Sequence, residues 1–351
     1  MVGSPGWNHL AGGRCYHRSR QMHPLATVVR RTAGDKRGER RDWTLGKGRW
    51  HSDQCRRTRR HGDDRKCRVS GSIIAASGCL QRRFGYSQAS SSASPPGANN
   101  WSCQPSAAHP RPVVLVHGTF ADMSDSWQAL SPLLVDNGYC VFALNYGAAD
   151  GSGALGVYGI GDIAQSAQQL ATFVDQVLTA TGASQVDIVG HSQGGMMPRY
   201  YLKYLDGSSR VHTLVGLAQS NHGTTIDGLT TVAGKIPEAN QFVGAACTAC
   251  TQQEAGSTFL ANLNAGGDTV AGVNYTVIES RYDEVVTPYA SVFFSGPGVT
   301  NITLQDQCSF DFGEHLSMQY DHIADIDVLN ALDPAHQEAP PCYPVAPISG
   351  G

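Results

Sequence analysis

The stretch Val186-Asp187-Ile188-Val189-Gly190-His191-Ser192-Gln193-Gly194-Gly195 decides how this chain is read. Val186 to Val189 is a largely apolar, β-type run, and a helical pattern follows from Met196 to Leu205. Gly-x-Ser-x-Gly joins them, which makes the strand, sharp turn and helix of a nucleophile elbow. A serine on so tight a turn needs Gly190 and Gly194, because a side chain at either place would strike the neighbouring strand or helix. Ser192 is then expected to stand exposed above a sheet. With 40 glycines in 351 residues, the pentapeptide arises by chance about 0.4 times, so its surroundings must carry the weight.

Upstream, Pro112-Val113-Val114-Leu115-Val116-His117-Gly118-Thr119-Phe120 is the continuous apolar run of a central parallel strand closing on His-Gly. Ser126 to Val135 reads as a helix and Cys140 to Leu144 as a strand. Between Ile160 and Thr181, the residues Ile163, Ala167, Leu170, Val174 and Val177 follow spacings of four, three, four and three, an amphipathic helix leading into the elbow strand. Downstream, Val211 to Leu217, Tyr275 to Glu279 and Thr300 to Gln305 read as further strands. Strands alternating with helices predict an α/β fold, a mainly parallel central sheet with helices on both faces. Residues 221–270, rich in Gly, Thr and Ala, read as an insertion that walls or covers the site, braced by Cys247 and Cys250.

Charge divides the chain in two. Residues 1–95 hold twenty basic against six acidic residues, a formal +14; the remainder holds six against 23, a formal −17. The basic segment shows no sustained period and too little apolar surface to offset ordering entropy, so it is expected to be a disordered extension. Clusters such as Arg56-Arg57-Thr58-Arg59-Arg60 suggest a nucleic-acid-binding arm, but a solvated tail, or sequence outside the mature protein, is favoured. Only Ile73-Ile74-Ala75-Ala76 hints at the apolar core of a signal peptide, from which we expect that the start, or the reading frame upstream of about residue 90, is wrong and a signal peptide lost. Ser90 to Asn100 reads as a linker, with the catalytic domain at 96–351. An acidic domain disfavours nucleic acid or an anionic membrane and favours a neutral substrate. No run of about 18 apolar residues spans a membrane. Cys103, Cys140, Cys247, Cys250, Cys308 and Cys342 suit three disulfides in an oxidising compartment. Cys247-x-x-Cys250 is also half of a zinc site or a redox pair, though the region lacks the further pair or histidines that a structural zinc needs.

A serine hydroxyl needs a base within hydrogen-bond reach and a third group to orient that base. The order Ser, acid, His is met by Asp283, just past the strand ending at Glu279, and His315, past the last strand. Glu284 is the rival acid, taken as a solvated neighbour. His322 opens the helical pattern Ile323, Ile326, Leu329, Leu332, and His336 lies among terminal prolines. His117 and His191 are expected to support the loop and the turn, and His222 is a weaker pocket candidate. The oxyanion hole requires two N–H donors. These fall to the backbone of Gln193, after the nucleophile, and of Thr119, after the first strand, with Phe120 as a pocket wall. The helix starting at Gln193 adds its positive end.

Val-His-Gly-Thr-Phe (116–120), Gly-His-Ser-Gln-Gly-Gly (190–195), Tyr-Asp-Glu-Val-Val-Thr-Pro (282–288) and Glu-His-Leu-Ser (314–317), in that order, resemble the bacterial class 2 lipases, secreted triacylglycerol lipases and esterases of actinomycete type with the α/β-hydrolase fold. The similarity covers about residues 99–345. It implies Ser192, Asp283 and His315 as the catalytic triad, Thr119 and Gln193 as the oxyanion hole, export, and disulfides pairing Cys103 with Cys140, Cys247 with Cys250 and Cys308 with Cys342. The amino-terminal segment departs from the family's signal peptides. The expected protein is a monomeric ester hydrolase acting on small-molecule or lipid esters, in transient contact with a lipid–water interface. Neither metal nor cofactor and no nucleic-acid partner is expected. The alternatives are a polyester or cutin-like esterase, an acyltransferase using the same acyl-enzyme, and a non-catalytic binding protein on a hydrolase fold.

Overall fold

A computed structural model describes residues 92–350, apart from 150, 237, 243–245, 348 and 349. The extension at 1–91, with its four cysteines, lies outside the described residues. Among the described residues, six strands form one sheet: β1 (Val113–Val116), β2 (Val141–Leu144), β3 (Val186–His191), β4 (Val211–Leu217), β5 (Asn274–Glu279) and β6 (Val299–Thr303). The order is β2-β1-β3-β4-β5-β6 and every pairing is parallel. β1 to β3 are buried along their whole length, which is why they read as unbroken apolar runs rather than alternating ones.

Helices cover both faces. The longer ones are α1 (Leu130–Asp136), α2 (Ile163–Thr181), α3 (Gln193–Tyr204), α4 (Ile226–Lys235), α5 (Thr248–Gln252), α6 (Thr258–Asn264) and α7 (His322–Leu332). Val114, Val116 and Ile188 pack with Ile163, Leu170 and Val174 of α2 and with Met196 and Met197 of α3. Val113, Leu115 and Val189 face the other way, with Leu130 and Leu134 of α1 and Ile323 and Val328 of α7. All five residues that mark the stripe of α2 are buried.

Two expectations need correction. The helix expected over Ser126 to Val135 begins only at Leu130, after a single turn, Met123–Ser126, capped by Asp122. Starting there puts Pro132 in the first turn, where its missing N–H leaves no bond unmade. The linker over Ser90 to Asn100 is, from Pro95 on, packed against the sheet. Asn99 accepts the N–H of Ala143 and donates to its carbonyl, 2.9 Å each, and donates its own N–H to Val141. These bonds satisfy the open edge of β2, which no strand covers among the described residues.

The three disulfides Cys103–Cys140, Cys247–Cys250 and Cys308–Cys342 are formed. Residues 221–270 contribute to the core: Leu229, Val232, Leu260 and Leu263 join the cluster of α2 and α3. The segment grips both neighbouring loops. Gln253 donates to Thr119 Oγ1 (2.9 Å), and Thr224 Oγ1 donates to the carbonyl of Val285.

Candidate active site

β3 delivers Ser192 to the carboxyl end of the sheet, and α3 begins at the next residue. A Cβ on Gly190 would lie 1.9 Å from the carbonyl oxygen of Gly194, and one on Gly194 would lie 2.1 Å from that of Val116. Both glycines are therefore required for room. The turn holds Ser192 at φ 54° and ψ −124°, where non-glycine residues are seldom found. Its N–H donates to the carbonyl of Leu217 at 2.8 Å, anchoring the turn to β4. Ser192 is only 8% exposed, against the expectation that it stands open.

His315 Nε2 lies 3.0 Å from Ser192 Oγ, and its Nδ1 lies 2.7 Å from Asp283 Oδ2. Asp283 Oδ1 accepts the N–H groups of Val285 and Val286 at 2.7 and 2.8 Å, so both carboxylate oxygens are fixed. The chain thus brings together Ser192, His315 and Asp283, which lie up to 123 residues apart. Burial works to depress the His315 imidazole, but the charge and hydrogen bond of Asp283, with the charges of Glu314 and Glu284, together outweigh burial and hold it above the ordinary histidine value.

Thr119 and Gln193 are neighbours. Gln193 Nε2 donates to Thr119 Oγ1 (2.8 Å) and to the carbonyl of Gly159 (2.7 Å). Gln193 is the first residue of α3, so its N–H has no acceptor within the helix. Phe120 is wholly buried in the core cluster, its φ of 65° fixed by an N–H bond to the carbonyl of Tyr158. His117 stacks on Tyr146, with ring centroids 4.4 Å apart, and its Nδ1 donates to the carbonyl of Gly118. Burial lowers His117 to about 4, so it is neutral support for the loop. His191 Nε2 donates to the carbonyl of His315 at 2.8 Å. Both histidines thus do as expected.

The rivals are occupied elsewhere. Glu284 is ion-paired with Lys235. His222 bridges Ser291 and Asp268, in a knot that includes the buried Arg199 of α3. His322 stacks on Tyr343 at the start of α7, and the exposed His336 pairs with Asp333. Sequence reasoning missed Glu279, Gln253 and Lys235. Glu279 ends β5 fully buried, and burial, with the Asp283 carboxylate beside it, raises it well above the usual carboxylate range. Its sequence signal is a carboxylate at an inward-facing strand position, out of place in a core without a partner.

A single parallel sheet with a strained serine at the end of β3, followed by acid and histidine after β5 and β6, defines an α/β-hydrolase. The family description Lipase (class 2) matches residues 110–324, and the chain belongs to that family. It is similar to a triacylglycerol lipase of Pseudarthrobacter phenanthrenivorans, 37% identical over 102 residues, 27% of this chain and 28% of that protein. It is equally similar to a triacylglycerol lipase of Burkholderia plantarii, again 37% over 102 residues, 25% of that protein. These matches span about a quarter of each relative's length. Among solved structures it is similar to Aspergillus fumigatus lipase B (TM-score 0.49, 20% identity, 70% of this chain and 61% of that one). It is also similar to the mature form of Bacillus licheniformis lipase BlEst2 (TM-score 0.48, 15% identity, 65% and 94%).

Proposed function

We propose that this protein is a secreted triacylglycerol lipase or carboxylesterase that cleaves neutral lipid esters through an acyl-enzyme. The observation that carries it is the buried chain from Ser192 through His315 to Asp283. Ser192 attacks the ester carbonyl as His315 takes its proton, and Asp283 orients the imidazole and stabilises its charged form. The N–H groups of Thr119 and Gln193 receive the charge that builds on the carbonyl oxygen. His315 then protonates the departing alcohol, and water, activated the same way, releases the acid. Six cysteines in three disulfides support export. The test is hydrolysis of p-nitrophenyl esters across acyl lengths with rapid mixing: a burst of p-nitrophenol equal to the enzyme present is expected. No hydrolysis at any length by the folded, oxidised protein would return acyl transfer or a binding role to the front.

A lipid interface has a candidate surface. Tyr282 after β5 and Phe310 and Phe312 after β6 are 48, 58 and 45% exposed, and the Tyr282 and Phe312 rings lie 5.8 Å apart. Because the sheet is parallel, these loops leave it at the same edge as Ser192. The acidic balance of residues 96–351 favours an uncharged interface over an anionic one. Phe310→Ser with Phe312→Ser is expected to cut hydrolysis of emulsified long-chain esters by about tenfold while sparing dissolved short-chain esters. Equal losses on both substrates would refute the assignment.

A further inference from the structure

The residues adjoining both partners of Ser192 converge on one ammonium group. Glu284 follows Asp283, and Glu314 precedes His315. Lys235, the last residue of α4, is ion-paired with Glu284 Oε1 and lies 3.7 Å from Glu314 Oε2. The two glutamates also act on each other electrostatically. Glu314 in turn shapes the His315 turn. Its Oε2 accepts the N–H of Leu316 (3.0 Å), its N–H donates to Ser317 Oγ (2.7 Å), and its carbonyl accepts the N–H of Met318 (3.1 Å).

Resting on the triad reading above, we propose that Lys235 is a positioning residue: its ammonium ties the loop of Asp283 to the loop of His315 and offsets the carboxylate charge beside the imidazole. Two touching carboxyl groups resist ionising together. Here burial and the Glu284 charge raise Glu314, while the Lys235 hydrogen bond, working against burial, holds Glu284 below its ordinary value. The charged and titratable groups facing His315 are Asp283 from the β5 loop, Glu314 and Glu284 with their Lys235, and His191 from the end of β3, its ring centroid 4.9 Å away; Glu279 stands behind Asp283. Removing the ammonium takes one positive charge from beside the imidazole, which favours its protonated form.

The test uses the full chain with Lys235→Met, Lys235→Arg and the double variant Lys235→Met/Glu284→Gln. It reads kcat and KM for a dissolved ester across pH, together with labelling of Ser192 by a fluorophosphonate. Lys235→Met should move the acid-side inflection of kcat/KM up by about half a pH unit and lower kcat several-fold with KM little changed. Arginine should keep both near the parent. The double variant should return the inflection while kcat stays low, because the charge balance is restored and the tether is not. Should Lys235→Met fail to fold, Glu284→Gln alone supplies the opposite sign, an inflection moved down. An unmoved inflection with unmoved kcat, or a double variant still shifted, overturns the role of Lys235. A parent protein whose Ser192 resists labelling overturns instead the triad on which it rests.

Discussion

Ser192→Ala is expected to lower kcat on every ester by at least about 10⁴-fold while the protein stays folded. The backbone at this position is held by the N–H bond to Leu217 and by the contacts of Gly190 and Gly194 with their neighbours, none of which needs the hydroxyl. Alanine accepts the strained φ about as poorly as serine does, so the change in stability should be small. What disappears is the hydroxyl oxygen 3.0 Å from His315 Nε2. His315→Ala should fall to a similar floor, because residues acting as a unit do not contribute additively. The check is turnover of p-nitrophenyl esters beside circular dichroism and thermal melting. Turnover in a folded Ser192→Ala that stays within tenfold of the parent would require a different nucleophile. The nearby Ser317 and Ser280 hydroxyls are already engaged, with Glu314 and with the carbonyl of Gly313.

Much of this site was legible because its signals are local and steric. Gly190 and Gly194 must lack side chains for the chain to turn at all, and a strand buried on both faces must read as apolar throughout. Asp283 and His315 were legible by one further step, since parallel strands deliver their following loops to a single edge. Relations made across the fold left no such mark. Gln253 reaches Thr119 over 134 residues and Lys235 reaches Glu284 over 49, and nothing in the chain next to either reveals its partner. Asn99 was hidden by its company: Ser, Pro and Gly around it read as linker, while its amide mimics a strand partner for Ala143. The exposure expected of Ser192 failed for a related reason. An elbow lifts its serine clear of the sheet, but how open it stays depends on side chains brought to it from distant parts of the chain, His315 among them.

Asp283→Asn is expected to lower kcat by about 10⁴-fold and, at the same time, to move the acid limb of the pH profile downward. The first effect follows from the bonds of Asp283. Its Oδ1 accepts two backbone N–H groups, so an asparagine would keep its oxygen there and turn its amide toward His315 Nδ1. That nitrogen must then accept, which places the imidazole proton on Nε2, facing Ser192, where it cannot take the hydroxyl proton. The second effect follows from what sets the imidazole's affinity for protons. Catalysis needs the neutral ring, so activity is lost as pH falls through the His315 pKa. In the parent, the charge and hydrogen bond of Asp283, with the charges of Glu314 and Glu284, together outweigh burial, and the limb is expected above the ordinary histidine value of 6.5. Without the charge, burial is the largest influence left, and the limb should drop below its parent position. A lower plateau combined with a limb moved to lower pH separates loss of the orienting carboxylate from simple misfolding, which would depress the plateau without moving the limb. Glu284→Gln is the matched control: its carboxylate is turned to Lys235, and kcat should remain within about tenfold of the parent. If the two variants exchanged outcomes, the orienting role would belong to Glu284, and the 2.7 Å contact of Asp283 with His315 would be packing alone.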